Sequence, residues 1–215
     1  MIGQKFQELK TERKWIIALL IVLIPGLLSV AGNRFIQQKS QPYTERYMEE
    51  IGTLTDEQLE AMENIQGFIG AISLVFGIIF VLVFWILKSA VFHLAARVLG
   101  GEPAELFSTV HLIAYTYIPF IGKGILDLYK GLTYQLPSYE EYWYQLQNPD
   151  ILVDFVREYF NIFVLCALPL MVIAVREQYN LSNKKAAVAV LVPYIGYWVI
   201  QLVLASVGAR LVGGM

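Results

Sequence analysis

Thiol and imidazole chemistry is nearly absent from this chain: its 215 residues include one cysteine and two histidines. Cys166 lies in an apolar run, so it supports neither an intrachain disulfide framework nor a cysteine-based zinc site and reads as filler. Charge is scarce as well, at 16% of residues with a formal net charge of −2. Without an excess of Lys and Arg to neutralise phosphates, a nucleic-acid partner is excluded. His-Glu-x-x-His, Gly-x-Ser-x-Gly and Gly-x-x-x-x-Gly-Lys-Ser/Thr are all missing. Their absence counts against hydrolases and nucleotide-driven pumps. The expectation is a protein that is not an enzyme and carries no cofactor or catalytic residue.

What the chain has is apolar length. Hydrophobic residues make up 57% of it, and the mean hydropathy of +0.55 is above that of ordinary soluble domains. Five stretches approach the ~20 residues needed to cross ~30 Å of hydrocarbon: 15–31, 67–87, 107–126, 159–175 and 186–207. The sequence predicts an all-α integral membrane bundle of about five transmembrane helices, one domain over 1–215, with outer helical loops at 32–66 and 127–158. The third span is the most polar, with Lys123 inside it.

The connections carry helix punctuation. Thr55 with Gln58 forms a capping box, stapled by Leu54 and Leu59, and Ser138 with Glu141 forms another. Asn148-Pro149 and Glu102-Pro103 place a proline at a first helical position before the fourth and third spans. Gly100-Gly101 reads as the stop of a second helix that overruns the bilayer. Ser182 reads as an N-cap; Asn180-Leu181-Ser182 also fits a glycosylation sequon, on the cytoplasmic side of the predicted topology.

Orientation follows from basic residues near span ends. Lys5, Lys10, Arg13, Lys14, Lys88, Arg97, Arg176, Lys184 and Lys185 fall inside if the N-terminus is cytoplasmic, and most acidic residues then fall outside. This gives N-terminus in, C-terminus out, in a multi-pass protein of the cell (plasma) membrane. A secretory signal ending at Ser29-Val30-Ala31 is the competing reading of residues 1–31, though the apolar stretch from Trp15 exceeds a typical signal core of ~7–15 residues.

Leu99-Gly100-Gly101-Glu102-Pro103-Ala104-Glu105-Leu106-Phe107, followed by Ala114-Tyr115-Thr116-Tyr117-Ile118-Pro119, resembles bacterial members of the Yip (Ypt-interacting protein) family. Gly100, Gly101 and Pro119 are the motif positions. Similar stretches occur in order at Phe6–Lys10 with Glu12–Trp15, at Leu54–Glu60, and at Ser182–Ala187 with Pro193. The resemblance implies a helical membrane protein without known catalytic residues. Eukaryotic members bind small GTPases in vesicle traffic, and some bacterial members look like accessory subunits of efflux transporters. The eukaryotic Asp-Leu-Tyr-Gly-Pro motif is absent before the first span; Asp127-Leu128-Tyr129 lies elsewhere and continues with Lys130, so GTPase binding is not carried over.

Polar residues inside the spans define the candidate sites. Tyr115, Tyr117, Asn161, Tyr194, Tyr197 and Gln201 can line an intramembrane polar cavity, with carbonyls freed by Pro25, Pro119, Pro169 and Pro193 as further ligands. Interfacial anchoring is the ordinary use of such tyrosines. Lys123 and Asp127, four apart, can pair at the outer boundary, near Arg157 and Glu158. His93 and His111 flank Glu102 and Glu105, a set that can hold a metal, although serving the helix N-terminus is the simpler role for the two carboxylates. Ser73 with Gly77 and Ala205 with Ala209 allow close helix approach. The expected function is a scaffold or accessory subunit for membrane-protein partners, plausible in an efflux or assembly complex, with lipids around it and homo-oligomerisation open. The alternative is a small-solute or lipid transporter or channel.

Overall fold

The computed structural model describes residues 2–50, 56–148 and 150–213. Among these the regular structure is helical: α1 (Ile2–Thr11), α2 (Trp15–Glu50), α3 (Asp56–Val98), α4 (Leu106–Tyr115), α5 (Ile118–Thr133), α6 (Tyr139–Gln147), α7 (Ile151–Tyr159), α8 (Ile162–Tyr179) and α9 (Asn183–Gly213). Thr55 with Leu54 falls outside the description, as do the side chains of Gln58, Leu59, Ser73 and Ala209, so the capping box and small-residue pairs expected there are not placed.

Among the described residues four helices are long and apolar enough to cross a bilayer, over Trp15–Tyr47, Val75–Val98, Ile162–Tyr179 and Asn183–Val207. Their outward faces carry exposed Ile16, Leu20, Phe76, Phe80, Val83, Val192 and Val199, the surface expected of a bundle whose solvent is lipid. The third predicted span is realised as two shorter helices, α4 and α5, separated at Thr116 and Tyr117. Pro119 supplies no amide hydrogen to continue α4, and the Thr116 hydroxyl turns back to the Ile113 carbonyl at 2.7 Å. A second break separates α7 from α8, where the Asn161 side chain accepts from the Phe163 and Val164 amides, both at 3.1 Å. Asn161 therefore starts a helix.

The most extensive contact between elements joins α2 to α5, which run side by side in the same direction. Glycine makes it possible. A Cβ at Gly124 would stand 2.8 Å from the Pro25 carbonyl oxygen, and Cβ atoms at Gly32 and Gly131 would overlap the facing backbone, so the two backbones touch directly. Beyond the apolar run, Lys39 donates to the carbonyls of Gly131, Leu132 and Tyr134 at 3.1, 2.7 and 2.9 Å. Its three donors satisfy the orphan carbonyls at the end of α5.

This carries α2 beyond its most apolar stretch into an aromatic platform with α6. The Tyr43 hydroxyl donates to the Pro137 carbonyl at 2.7 Å. Its ring lies 5.3 and 5.6 Å from those of Tyr139 and Tyr142, while Tyr47 lies 4.2 Å from Trp143. Ser138 caps α6 as expected, accepting from the Glu141 amide at 3.2 Å. The proline expected at the start of the third span is placed differently: α4 begins after Glu105, with Pro103 left in the loop. Pro149 lies outside the described residues, and α7 begins after Asp150.

Candidate functional site in the membrane-embedded bundle

The Gly100-Gly101 motif builds a joint at the α1 end of the bundle. Gly100 has φ +83°, and the Gly101 and Gly100 amides donate to Ala96 and Arg97 at 3.0 and 3.1 Å. This is the Schellman ending that only glycine enters without strain. α8 ends the same way at Asn180 (φ 51°), with the Leu181 amide donating to Arg176 at 3.2 Å. The two ends are tied together: the Glu102 amide donates to the Tyr179 carbonyl at 2.9 Å, and the Asn180 side chain to Glu102 Oε1 at 2.7 Å. That tie holds Glu102 extended, which explains why α4 starts only after Glu105. Ser182 caps α9 through the Lys185 amide at 3.4 Å.

Beneath this joint the Tyr179 side chain is fully buried. Its hydroxyl meets His93 Nδ1 at 2.6 Å and the Thr109 hydroxyl. α1 closes the same end, with Phe6 buried, Gln7 on Glu177 at 2.7 Å and Arg13 on Glu105 at 2.8 Å. The His93, His111, Glu102 and Glu105 set is not brought together. His93 faces Tyr179, His111 packs its ring 5.2 Å from both Trp15 and Tyr115, and each carboxylate has its own partner.

A cavity of about 500 Å³ opens deeper in the bundle, between α2, α3, α5, α8 and α9 and the end of α7. Helix prolines and helix breaks surround it: Pro25 and Pro193, inside α2 and α9, lie on its wall, and the α4–α5 and α7–α8 breaks supply Tyr117 and Tyr159. Of the predicted polar set, Tyr117, Tyr194 and Tyr197 line the cavity. Tyr115, Asn161 and Gln201 do not: Tyr115 is buried against His111, Asn161 caps α8, and Gln201 lies two turns farther along α9 than Tyr194. Lys123 and Asp127 do pair, at 3.0 Å. Glu158 joins at 3.4 Å, and Ser29 donates to Asp127 at 2.8 Å. Lys123 and Glu158 also line the cavity.

The principal side chain that sequence reasoning misplaced is Lys88. Assigned to the inner end of the second span, it instead points into the cavity, with Nζ 4.7 Å from the Tyr117 ring centroid and 5.4 Å from that of Tyr194. Nine residues separate Lys88 from Arg97, and nine separate Tyr194 from Lys185. Both counts place the cluster roughly 13 Å of helix away from the basic residues at the α1 end. A lysine at the centre of a membrane helix costs about 3 kcal/mol on insertion scales, and each cation–π contact offsets about 0.5–2 kcal/mol. The rings thus explain how the ammonium is tolerated, but they do not neutralise it. The signal available in the sequence was the lack of any helix stop between Leu87 and Gly100.

The Yip1 domain family model matches residues 3–206. No curated protein and no solved structure matches the chain.

Proposed function

Taking as premise that the chain belongs to the Yip1 domain family, we propose that this integral membrane protein is a non-enzymatic scaffold or accessory subunit that docks a membrane partner, as in an efflux or assembly complex. The observation that carries this reading is the aromatic platform. α2 and α6 hold five rings, Tyr43, Tyr47, Tyr139, Tyr142 and Trp143, outside the apolar bundle, and the adjacent Tyr144 is 68% exposed. Rigid aromatic side chains on a fixed support favour binding because little conformational freedom is lost on contact. Burial raises the Tyr134 phenol above its ordinary pKa, so it stays a neutral part of the same surface. In this reading the N-terminus is cytoplasmic and the platform lies outside a plasma membrane. Spans 1, 2, 4 and 5 correspond to the long apolar helices, and span 3 to the α4–α5 pair.

The test is photo-crosslinking in native membranes from Tyr144 on the platform and from Phe107, exposed at the opposite end. A reproducible adduct with another membrane protein at Tyr144 supports docking through the platform; adducts only with lipid or with a second copy of the chain overturn it. The cavity favours a second reading, transport of a small solute or lipid. Flux in proteoliposomes that is unchanged after Tyr117→Leu and Tyr194→Leu would remove that reading.

A further inference from the structure

Two lysines and one carboxylate line the cavity, Lys88, Lys123 and Glu158. Among the described residues Lys88 makes no ion pair with a carboxylate, whereas Lys123 engages both Asp127 and Glu158. Tyr117 and Tyr194 attract the ammonium through their ring faces but bring no net charge. An ammonium offers donors and no acceptor, so the chemistry it selects is an oxyanion.

The cavity's shape is a second, independent observation. Its lining residues Phe84, Leu87 and Val91 are also 47%, 54% and 39% exposed. The wall therefore continues onto the outer surface of α3, which faces acyl chains in a bilayer. A volume of about 500 Å³ holds a headgroup and the start of a chain but not a whole phospholipid, so the remainder must leave through that apolar mouth. A cation within and hydrocarbon at the mouth match a ligand with the same polarity pattern.

We propose that the cavity binds an anionic phospholipid, with the headgroup phosphate seated on Lys88 between Tyr117 and Tyr194 and an acyl chain leaving past Phe84 and Leu87. Lys88 lies roughly 13 Å along α3 from Arg97, so the proposed lipid is drawn into the bundle rather than held at its α1 end. Neither the site nor its test involves the aromatic platform, and docking there can fail without touching this inference.

The experiment is native mass spectrometry of the full chain in mild detergent, with phosphatidylglycerol or phosphatidylcholine of identical acyl chains. The wild type is expected to retain phosphatidylglycerol with a preference of about tenfold, Lys88→Met to lose that preference, and Lys88→Arg to keep it. Phe84→Trp, at a lipid-facing position, is expected to weaken retention by narrowing the mouth. Equal retention of both lipids by the wild type, or an unchanged preference in Lys88→Met, overturns the proposal. Displacement of the lipid by inorganic phosphate, with Phe84→Trp indistinguishable from wild type, assigns a soluble anion instead and also overturns it. Should Lys88→Met fail to fold, Phe84→Trp and the phosphate competition still decide.

Discussion

Five residues of α3 separate His93 from Lys88, and the surroundings of the two differ in kind. Around His93 the polar groups answer one another: the Tyr179 hydroxyl reaches both His93 and Thr109, and the neighbouring helix ends are joined by the Glu102 amide on the Tyr179 carbonyl and the Asn180 side chain on Glu102. Around Lys88 a charge meets two aromatic rings and open volume. Buried polar groups that satisfy each other make a joint and rigidify it, whereas a charge with no opposite charge beside it is costly at membrane depth. The double-glycine motif therefore accounts for how the bundle is fastened, and the cavity with Lys88 lies more than three turns of α3 away from it.

Substitutions that damage the joint should cost stability, and substitutions at the cavity should not. The largest effect is expected for Gly101→Val, because even a Cβ there would stand 2.8 Å from the Tyr179 Cβ and 2.9 Å from the Ala96 carbonyl oxygen. About 3 kcal/mol of destabilisation follows from such overpacking, read as a large fall in melting temperature in detergent. Tyr179→Phe should cost about 2 kcal/mol by leaving His93 and Thr109 without their shared partner, while the helix content by circular dichroism stays the same. Lys39→Met removes the cap on α5 and should cost about 1 kcal/mol, with amide exchange rising at the end of α5 but not near Gly101. Lys88→Met should leave the melting temperature unchanged or slightly higher, since it removes a charge from mid-membrane. A fall as large as that for Tyr179→Phe would place Lys88 with the joint and erase the contrast.

Features set by a few neighbouring residues were legible in the sequence. The Gly100 stop, the Ser138 and Ser182 caps and the Lys123–Asp127 pair all depend on residues within four positions of each other. The apolar lengths of α2, α3, α8 and α9 were legible for the same reason. What depended on distant partners was not. Pro119 announces an interruption but not that α5 will turn to lie against α2, because that choice rests on Gly32 and Gly131 fitting together across the chain. Asn161 is an exception among the local features: it looked like a polar group available to a cavity, but its pairing with the Phe163 and Val164 amides, two and three positions on, makes it a cap. Lys88 read as a boundary residue since hydropathy treats each helix alone, and the rings that receive it come from α5 and α9.

α2 runs without interruption through 36 residues, about 54 Å at 1.5 Å per residue, from the α1 end of the bundle to the aromatic platform. It is in effect a single strut. Its long arm is held beyond the apolar run by α5 and α6, and its short arm ends at Trp15 against His111. Pro25, where a helix hydrogen bond is missing and bending is easiest, lies between the two arms on the cavity wall. One continuous helix thus joins the platform, the cavity wall and the α1 end.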